Sequence, residues 1–433
     1  MNREQTFQDS EQAALERRRV SFLEQDSLAE YQLKRLNELL QSVLPTNRFY
    51  SEKLAGHTFP LRTLDSLSAL PFTFKDELIS RSRPYPGFAA NLTYSPEHYL
   101  RIHRTSGTRG RPLVVADTRS DWNWWLHSWQ YVLDAADISS NDRSLLAFSF
   151  GPFIGFWSAF DALVARNVMV IPAGGMNSIA RLELMRTMAV TCLFCTPSYA
   201  LHLAEVADQN QLEIRDLPVK KIIVAGEPGG SVPAIRQKIE DEWDAKLIDH
   251  GGASEVGPWG FADPNGRGLY INESEFIAEF LSVESGLPAE EGELSELILT
   301  SLGRVGSPVI RYRTGDLVRP TWNDDQDCRF VLLEGGVLGR TDDMMVIRGV
   351  NVFPSSIEQI LRSFPEVIEY RMTVFKDSSM DQLLVEVEDR LQNAERIKKE
   401  LNLRLGLRVD VECVPMGSLP RFEGKGKRFV DKR

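Results

Sequence analysis

Cysteine is scarce: the 433 residues hold four, Cys192, Cys195, Cys328 and Cys413. Four thiols in so long a chain make no disulfide framework, and a reducing compartment is the expectation. The opening MNREQTFQDSEQ is polar and charged where a secretory leader needs an apolar stretch, which points the same way, to the cytoplasm. Long hydrophobic runs are missing too. The most apolar stretch, LLAFSFGPFIGFWSAF from Leu145 to Phe160, is sixteen residues without a charge, and Gly151-Pro152 interrupts it. A membrane-spanning helix needs about 20. The run reads instead as a buried strand, a turn and the start of a core helix. Positive charge is in deficit, 50 Lys and Arg against 61 Asp and Glu, a net −11. That balance argues against nucleic acid and against a membrane surface as partners. No internal repeat and no low-complexity segment is present.

What remains is ordinary globular composition, 42% hydrophobic and 26% charged, ample for a large core. At roughly 150 residues per domain the length predicts two or three domains. Apolar residues at helical spacing (Leu28, Tyr31, Leu36, Leu39, Leu40, Val43) predict an amphipathic helix within Asp26 to Leu54. Between about Leu145 and Leu317, β-rich runs such as VMVIPAG, TCLFCTP, KKIIVAGEPGG, KLIDHGG and ELILTSL alternate with helical patterns, the signature of α/β architecture. In the clearest unit IIVAG meets a Gly-Glu-Pro-Gly-Gly turn, and Ser231 is placed to cap a helix carrying Ile235, Ile239 and Trp243.

A boundary is expected near Gly339-Arg340, dividing the chain into 1–339 and 340–433. Beyond it Ser355 and Glu358 have capping-box spacing ahead of Ile360, Leu361 and Phe364. The alternating runs Leu383-Val385-Val387 and Val409-Val411-Cys413 flank a helical segment from about Asn393 to Leu405, which predicts a small α+β unit. The last thirteen residues, RFEGKGKRFVDKR, hold six basic and two acidic side chains, +4 against −15 for the rest. On charge alone a solvated tail explains them.

Several segments could carry chemistry. Thr105-Ser106-Gly107-Thr108-Arg109-Gly110-Arg111-Pro112 combines small residues, hydroxyls and two arginines, which suits phosphate, although a structural turn has the same composition and no Gly-Lys-Ser/Thr completes a P-loop. Three more clusters follow: Ala225-Gly226-Glu227-Pro228, His250-Gly251-Gly252-Ala253-Ser254-Glu255-Val256-Gly257, and Tyr312-Arg313-Thr314-Gly315-Asp316. They offer close backbone approach, a carboxylate for a hard cation in Glu255, and one for ribose hydroxyls in Asp316. Cys192 and Cys195 form a CxxC within an apolar β-like run, where their spacing puts them on opposite strand faces and favours core packing over a metal or redox site.

The ordered motifs LPFTFKDEL (Leu70 to Leu78), TSGTRGRP, AGEP, SEVGP, RYRTGD, GRTDDMMVIRGVNVFPSSIE and LPRFEGKGKR resemble those of the adenylate-forming ligases, and among them the phenylacetate-CoA ligase family, from about Leu28 to the C-terminus. The resemblance implies a large multi-layer N-terminal domain with helix-flanked sheets and a mobile C-terminal domain. It implies a reaction in which a carboxylic acid and ATP give acyl-AMP and pyrophosphate, and the acyl group then passes to coenzyme A. On this resemblance the loop Thr105, Ser106, Gly107, Thr108, Arg109, Gly110 holds the leaving phosphates. Glu255 binds Mg²⁺ through ATP, with Ser254 near the α-phosphate and Gly252 and Ala253 beside the nucleotide. Asp316 grips the ribose with Arg340 near it, and Gly226, Glu227 and Pro228 flank adenine. Lys425 reaches the reacting carboxylate, with Lys427 as the alternative, and Asp342 is the hinge. Arg348 to Asn351 line the coenzyme A tunnel.

The chain departs from the family pattern at Arg109, where a second Thr is usual, and at Gly251, in the slot of an adenine-stacking aromatic. Where some relatives place metal-binding Cys and His after the SEVGP-like motif, WGFADPNGRGLYINESEF has neither, and no zinc is expected. Phe148, Phe150, Phe153, Trp157 and Trp259 suit an aromatic or similarly apolar monoacid, or a plain core. His250 faces either the acid or the core. The leading expectation is an ATP- and CoA-dependent aryl acid ligase. An adenylating enzyme with an acyl carrier protein or amine as acceptor, and a nucleotide-binding protein that has lost catalysis, are the other two. A homodimer is expected only from the resemblance.

Overall fold

In the computed structural model, the described residues are 7–79, 85–105, 112–322, 328–341, 345–347, 350–352, 354–377, 380–405, 409–421 and 428–432. A nine-stranded mixed sheet organises the large part of the chain. Five strands run parallel, in spatial order Lys246–Ala253, Lys221–Val224, Cys192–Cys195, Arg143–Leu146 and Met169–Pro172. The crossovers carry the helices Ile154–Ala165, Ser178–Thr187, Pro197–Gln209 and Pro233–Trp243. The inner strands Cys192–Cys195 and Lys221–Val224 are buried almost throughout, as a sheet covered by helices requires, while the edge strand Met169–Pro172 is partly exposed. From Lys246–Ala253 outward the sheet turns antiparallel, through Gly257–Ala262, Gly268–Ile271, Leu332–Glu334 and Pro320–Thr321.

Cys192 and Cys195 lie on this sheet, fully buried and in separate core clusters, one on each face. All four cysteines are free thiols. The apolar stretch from Leu145 divides as expected into the end of a strand, a turn at 147–153 and the helix Ile154–Ala165. No helix among the described residues is long and apolar enough to cross a membrane.

The amphipathic helix expected within Asp26 to Leu54 is Gln25–Val43, which carries all six residues from Leu28 to Val43. It ends before Pro45, and Asn47 restarts the chain by capping a short helix, Arg48–Lys53, through Tyr50 N at 3.0 Å. Ser231 does not cap the helix Pro233–Trp243. Proline at its first position presets the backbone, and the Ser231 hydroxyl instead donates to the buried Asp249 carboxylate at 2.5 Å. The predicted face of that helix, Ile235, Ile239 and Trp243, is buried.

A second sheet is antiparallel: Phe276–Ser282, Ser295–Ser301, Tyr312–Val318 and Gly339–Arg340. Its central strand carries RYRTGD. Thr73, from LPFTFKDEL, adds to this strand as a parallel bridge opposite Tyr312, with Thr73 N donating to Arg311 O at 2.8 Å and Arg313 N to Thr73 O at 3.0 Å. Two motifs about 240 positions apart are thereby zipped side by side.

Past residue 344 the chain packs around its own core. A hairpin, Met345–Ile347 with Val350–Val352, precedes a four-stranded sheet ordered Asp410–Cys413, Met380–Asp389, Val367–Asp377, Phe429–Asp431. The helices Pro354–Arg362 and Ala394–Leu405 complete it, and Leu383, Val385, Val387 and Val409 are buried as their alternation predicts. The first of these helices already includes Ser355, so the expected cap position lies inside its first turn.

Candidate active site

Glu255 sits at the tip of the hairpin joining Lys246–Ala253 to Gly257–Ala262, where three separate segments meet. Its carboxylate is buried. The Tyr312 hydroxyl donates to Oε1 at 2.9 Å, and the Lys75 ammonium lies 3.1 Å from the same oxygen. Burial works to raise the pKa of this group. Lys75, a backbone hydrogen bond and Tyr312 together outweigh it and hold the carboxyl below the usual carboxylate range. A buried carboxylate that stays ionised is a strong local anion. Both supporting side chains arrive through Thr73: the bridge fixes Tyr312 on one strand and places Lys75 two residues along on the other.

The hairpin tip is gripped from beneath. Arg304 is fully buried, its Nη1 donates to Ser254 O at 2.8 Å, and its Nε and Nη2 reach Asp117 Oδ1 at 2.8 and 2.7 Å. Ser254 is thus held by its carbonyl, which leaves its side chain outside that network. Gly257 closes the turn at φ +139°, and a Cβ there would strike Trp124 and Phe276 at 2.6 and 2.8 Å, so only glycine fits. Gly252 is exposed along the cleft and Ala253 half-buried.

Thr105 closes the base of the candidate phosphate loop: its hydroxyl accepts from Leu113 N at 3.0 Å while its own amide donates to Leu113 O at 3.0 Å. Arg104 N, beside it, donates to Pro152 O at 2.6 Å and ties the loop base to the Gly151–Phe153 turn. Asp316 and Arg340 face each other across neighbouring strands with Nη1 to Oδ1 at 2.7 Å, and Arg340 Nη2 also donates to Thr314 O at 3.0 Å. In the AGEP turn Gly226 takes φ +93°, Pro228 is half-buried, and Glu227 accepts from Ser198 N at 2.8 Å, in the first turn of the helix Pro197–Gln209. Ser106, Gly107, Thr108, Arg109, Gly110, Asp342, Lys425 and Lys427, with Arg348 and Gly349, lie outside the described residues.

Gly251 is explained by its neighbour. A Cβ at this position would meet the Trp259 ring at 2.7 to 2.9 Å, so the indole fills the space into which a larger side chain would start. Trp259 is buried, Phe148 and Trp157 are half-buried, but Phe150 and Phe153 are 44% and 46% exposed beside the loop base. His250 lies in the wall behind, 8% exposed, its ring 4.4 Å from that of Trp129 and its Nδ1 donating to Gly260 O at 2.8 Å. Burial pushes its pKa down to about 4, so the imidazole is neutral near pH 7 and Nε2 is an acceptor.

Sequence reading assigned no role to Lys75, Tyr312 or Arg304, although the first two lie inside motifs it singled out. Only the tertiary bridge at Thr73 brings them together, and Arg304 stands in a segment with no motif at all.

Residues 349–433 match the family model of the AMP-binding enzyme C-terminal domain. Among solved structures, 2-hydroxyisobutyryl-CoA ligase in the postadenylation state in complex with R3-HIB-AMP superimposes with a TM-score of 0.90 at 26% identity, covering 96% of this chain and 92% of that one. The same ligase in complex with 2-HIB-AMP and CoA in the thioesterification state gives 0.72 at 27% identity, covering 95% and 91%. Fold and motif cluster together define an adenylate-forming enzyme. The phenylacetate-coenzyme A ligase of Escherichia coli (strain K12) is 32% identical over 94% of this chain and 95% of its own. The chain belongs to the phenylacetate-CoA ligase family.

Three outcomes follow from this geometry. Arg304→Leu leaves the buried Asp117 carboxylate short of its partner and should cost about 3–5 kcal/mol in urea unfolding; a loss under about 1 kcal/mol would show that the pair does not hold the hairpin. Gly251→Tyr should cost about 1–3 kcal/mol by overpacking. In the Trp259→Ala background most of that penalty should vanish, whereas additive effects in the double-mutant cycle would mean the ring is not the obstacle. For His250 the folded pKa lies below the unfolded value of about 6.5. Its neutral form therefore supports the fold above that pH, and the support is lost as pH falls toward 4. Between pH 7 and 4 the wild type should lose about 3 kcal/mol that His250→Phe does not lose. Parallel acid limbs would contradict the assignment.

Proposed function

We propose that the protein is an ATP-dependent carboxylic acid–CoA ligase working through an acyl-adenylate, with an aromatic or similarly apolar monoacid as substrate. The observation that carries this reading is the ionised, buried Glu255 at the junction of the SEVGP, RYRTGD and LPFTFKDEL segments, with the Asp316–Arg340 pair on the strand beside it. The family's phenylacetate-CoA ligase and the 2-hydroxyisobutyryl-CoA ligase of nearly the same fold support the reaction class.

In the first half-reaction an oxygen of the acid attacks the α-phosphorus of ATP and pyrophosphate leaves; in the second the thiol of coenzyme A attacks the acyl carbon and AMP leaves. Both steps spread negative charge that fixed donors and cations must stabilise. The loop from Thr105 to Gly110 takes the leaving phosphates. Asp316 takes the ribose hydroxyls with Arg340 aligning its carboxylate, and Gly226, Glu227 and Pro228 border the base. Ser254 stands at the α-phosphate. Glu255 fits one Mg²⁺, an ion usually held by one or two carboxylates with phosphate oxygens and water; when bound it would neutralise charge on the phosphates. The exposed rings of Phe150 and Phe153 beside the loop base support an apolar acid.

The domain division expected near 339/340 falls just after the strand Gly339–Arg340, which still pairs with the second sheet, with Asp342 as the hinge and Lys425 delivered by the smaller part. The higher TM-score against the postadenylation state than against the thioesterification state supports a domain arrangement like the former for this chain. The scarcity of cysteine in a chain of 433 residues supports a cytoplasmic site of action.

The test is pyrophosphate release over a panel of aryl, aliphatic and amino acids, with and without coenzyme A. Aryl acids should release pyrophosphate and form acyl-CoA. Lys425→Ala should lower adenylation on the order of 10²–10³-fold while leaving thioester formation from supplied acyl-AMP far less affected. Equal losses in both halves would remove Lys425 from its role. Pyrophosphate release with no acyl-CoA would assign a carrier-protein or amine acceptor, and no turnover with any acid would favour a binding protein.

A further inference from the structure

Two helices of the large domain, Pro197–Gln209 and Pro233–Trp243, face the small domain across an open cleft of about 1090 Å³. Its walls are charged, with Glu205, Asp208, Lys238 and Glu242 on one side and Arg362, Arg390, Arg421 and Arg428 on the other. The helix Pro354–Arg362 touches Pro233–Trp243 directly beside the cleft, but the polar gap itself gives little apolar adhesion, so a contact that spans it adds to the position of the domains.

Arg421 spans it. Inside its own domain the guanidinium meets Glu388, with Nη2 to Oε2 at 2.8 Å and Nη1 to Oε1 at 3.2 Å. Glu388 is fully buried and also accepts from Leu419 N at 2.7 Å, so this inner pair is fixed. Across the cleft the same guanidinium reaches Glu205 with two parallel contacts, Nη2 to Oε1 and Nε to Oε2, both 3.4 Å. Glu205 is ionised: His202 on the same helix, and then Arg421, outweigh its burial and bring its carboxyl down to about 2. One arginine is thus bound tightly within its domain and loosely, in a forked geometry, to the other. Long contacts to a 30% exposed carboxylate can be broken when the small domain turns. Arg421 also stands four positions before Lys425 in the PRFEGK run.

We propose that Glu205 is a positioning residue for adenylation: by gripping Arg421 it biases the small domain toward the arrangement in which Lys425, four positions along the chain, acts, and it lets go for the thioester step. This rests on the reading of Lys425 given above. Glu205 acts through Arg421 and Lys425, and its loss shifts the balance between domain arrangements.

Single-turnover measurements on the full chain separate the two halves. Glu205→Arg, which sets like charge against Arg421, should slow pyrophosphate release about tenfold, and Glu205→Gln about threefold, with thioester formation from supplied acyl-AMP unchanged or faster. Glu205→Asp should recover part of the loss. Added salt should slow wild-type adenylation more than that of Glu205→Gln. Equal losses in both halves, or none in either, would overturn the inference. A donor–acceptor dye pair on the two domains decides the matter independently of turnover. Glu205→Arg should move the population toward lower or broader transfer efficiency, and an unchanged distribution would overturn the inference. A wild type inactive on every acid would overturn the ligase reading alone and leave the dye result standing.

Discussion

Holding a carboxylate charged in the interior is the constraint on which the site depends. Desolvation favours the neutral acid, and Glu255 escapes it because an ammonium group, a backbone hydrogen bond and a phenol donor together outweigh it, the ammonium and phenol meeting the same oxygen. Neither partner is near it in the chain. Tyr312 belongs to the central strand of the second sheet and Lys75 to an early segment that reaches this strand through the bridge at Thr73, beside which Arg311 Nη1 donates to Ser68 O at 2.6 Å. The fold is therefore a condition of the charge. Loosening the Thr73 bridge would release Lys75, and the acid would be left buried without the largest of its compensating partners.

The same economy recurs below the hairpin. Arg304 is buried for the sake of two acceptors, Asp117 and the Ser254 carbonyl, and so couples the strand that follows the candidate phosphate loop to the tip that carries Glu255. Charges within the core are individually costly, and this pair offsets the cost through short contacts to one oxygen of Asp117 and to the Ser254 carbonyl. Here the geometry sets the spacing between two motifs that must meet one nucleotide in the proposed reaction. Gly251 and Trp259 make a similar exchange in apolar terms: the ring occupies the volume a residue at 251 would take, so the departure from the family pattern reflects a repacked wall.

Much of this was legible in the chain. The alternation of β-rich runs and helical patterns located the parallel strands, and the spacing of Cys192 and Cys195 placed them on opposite faces because strand periodicity is local. The compact alternation after residue 344 anticipated the strands of the small sheet for the same reason. Ser231 and Ser355 were misread because a cap depends on where the first helical turn starts, and a proline sets that start at both positions. Lys75, Tyr312 and Arg304 could not be given roles, since each acts through partners fixed only by tertiary pairing. The motifs identified which segments matter, and packing decided which of their side chains touch.

The basic tail completes the electrostatic account. Net charge describes a surface that repels polyanions, yet the tail carries +4 beside a triphosphate site in the proposed reading. Its first arginine is neutralised twice, by a buried glutamate of its own domain and a half-exposed one of the other. A tail held only by the inner pair would turn freely, and one bound tightly to both would be fixed in one arrangement. Unequal distances to the two carboxylates, 2.8 and 3.4 Å, make the outer contact the weaker of the two. Strength inside the domain and weakness across the cleft are thus properties of one side chain, which is what the proposed turning of the small domain between half-reactions would require.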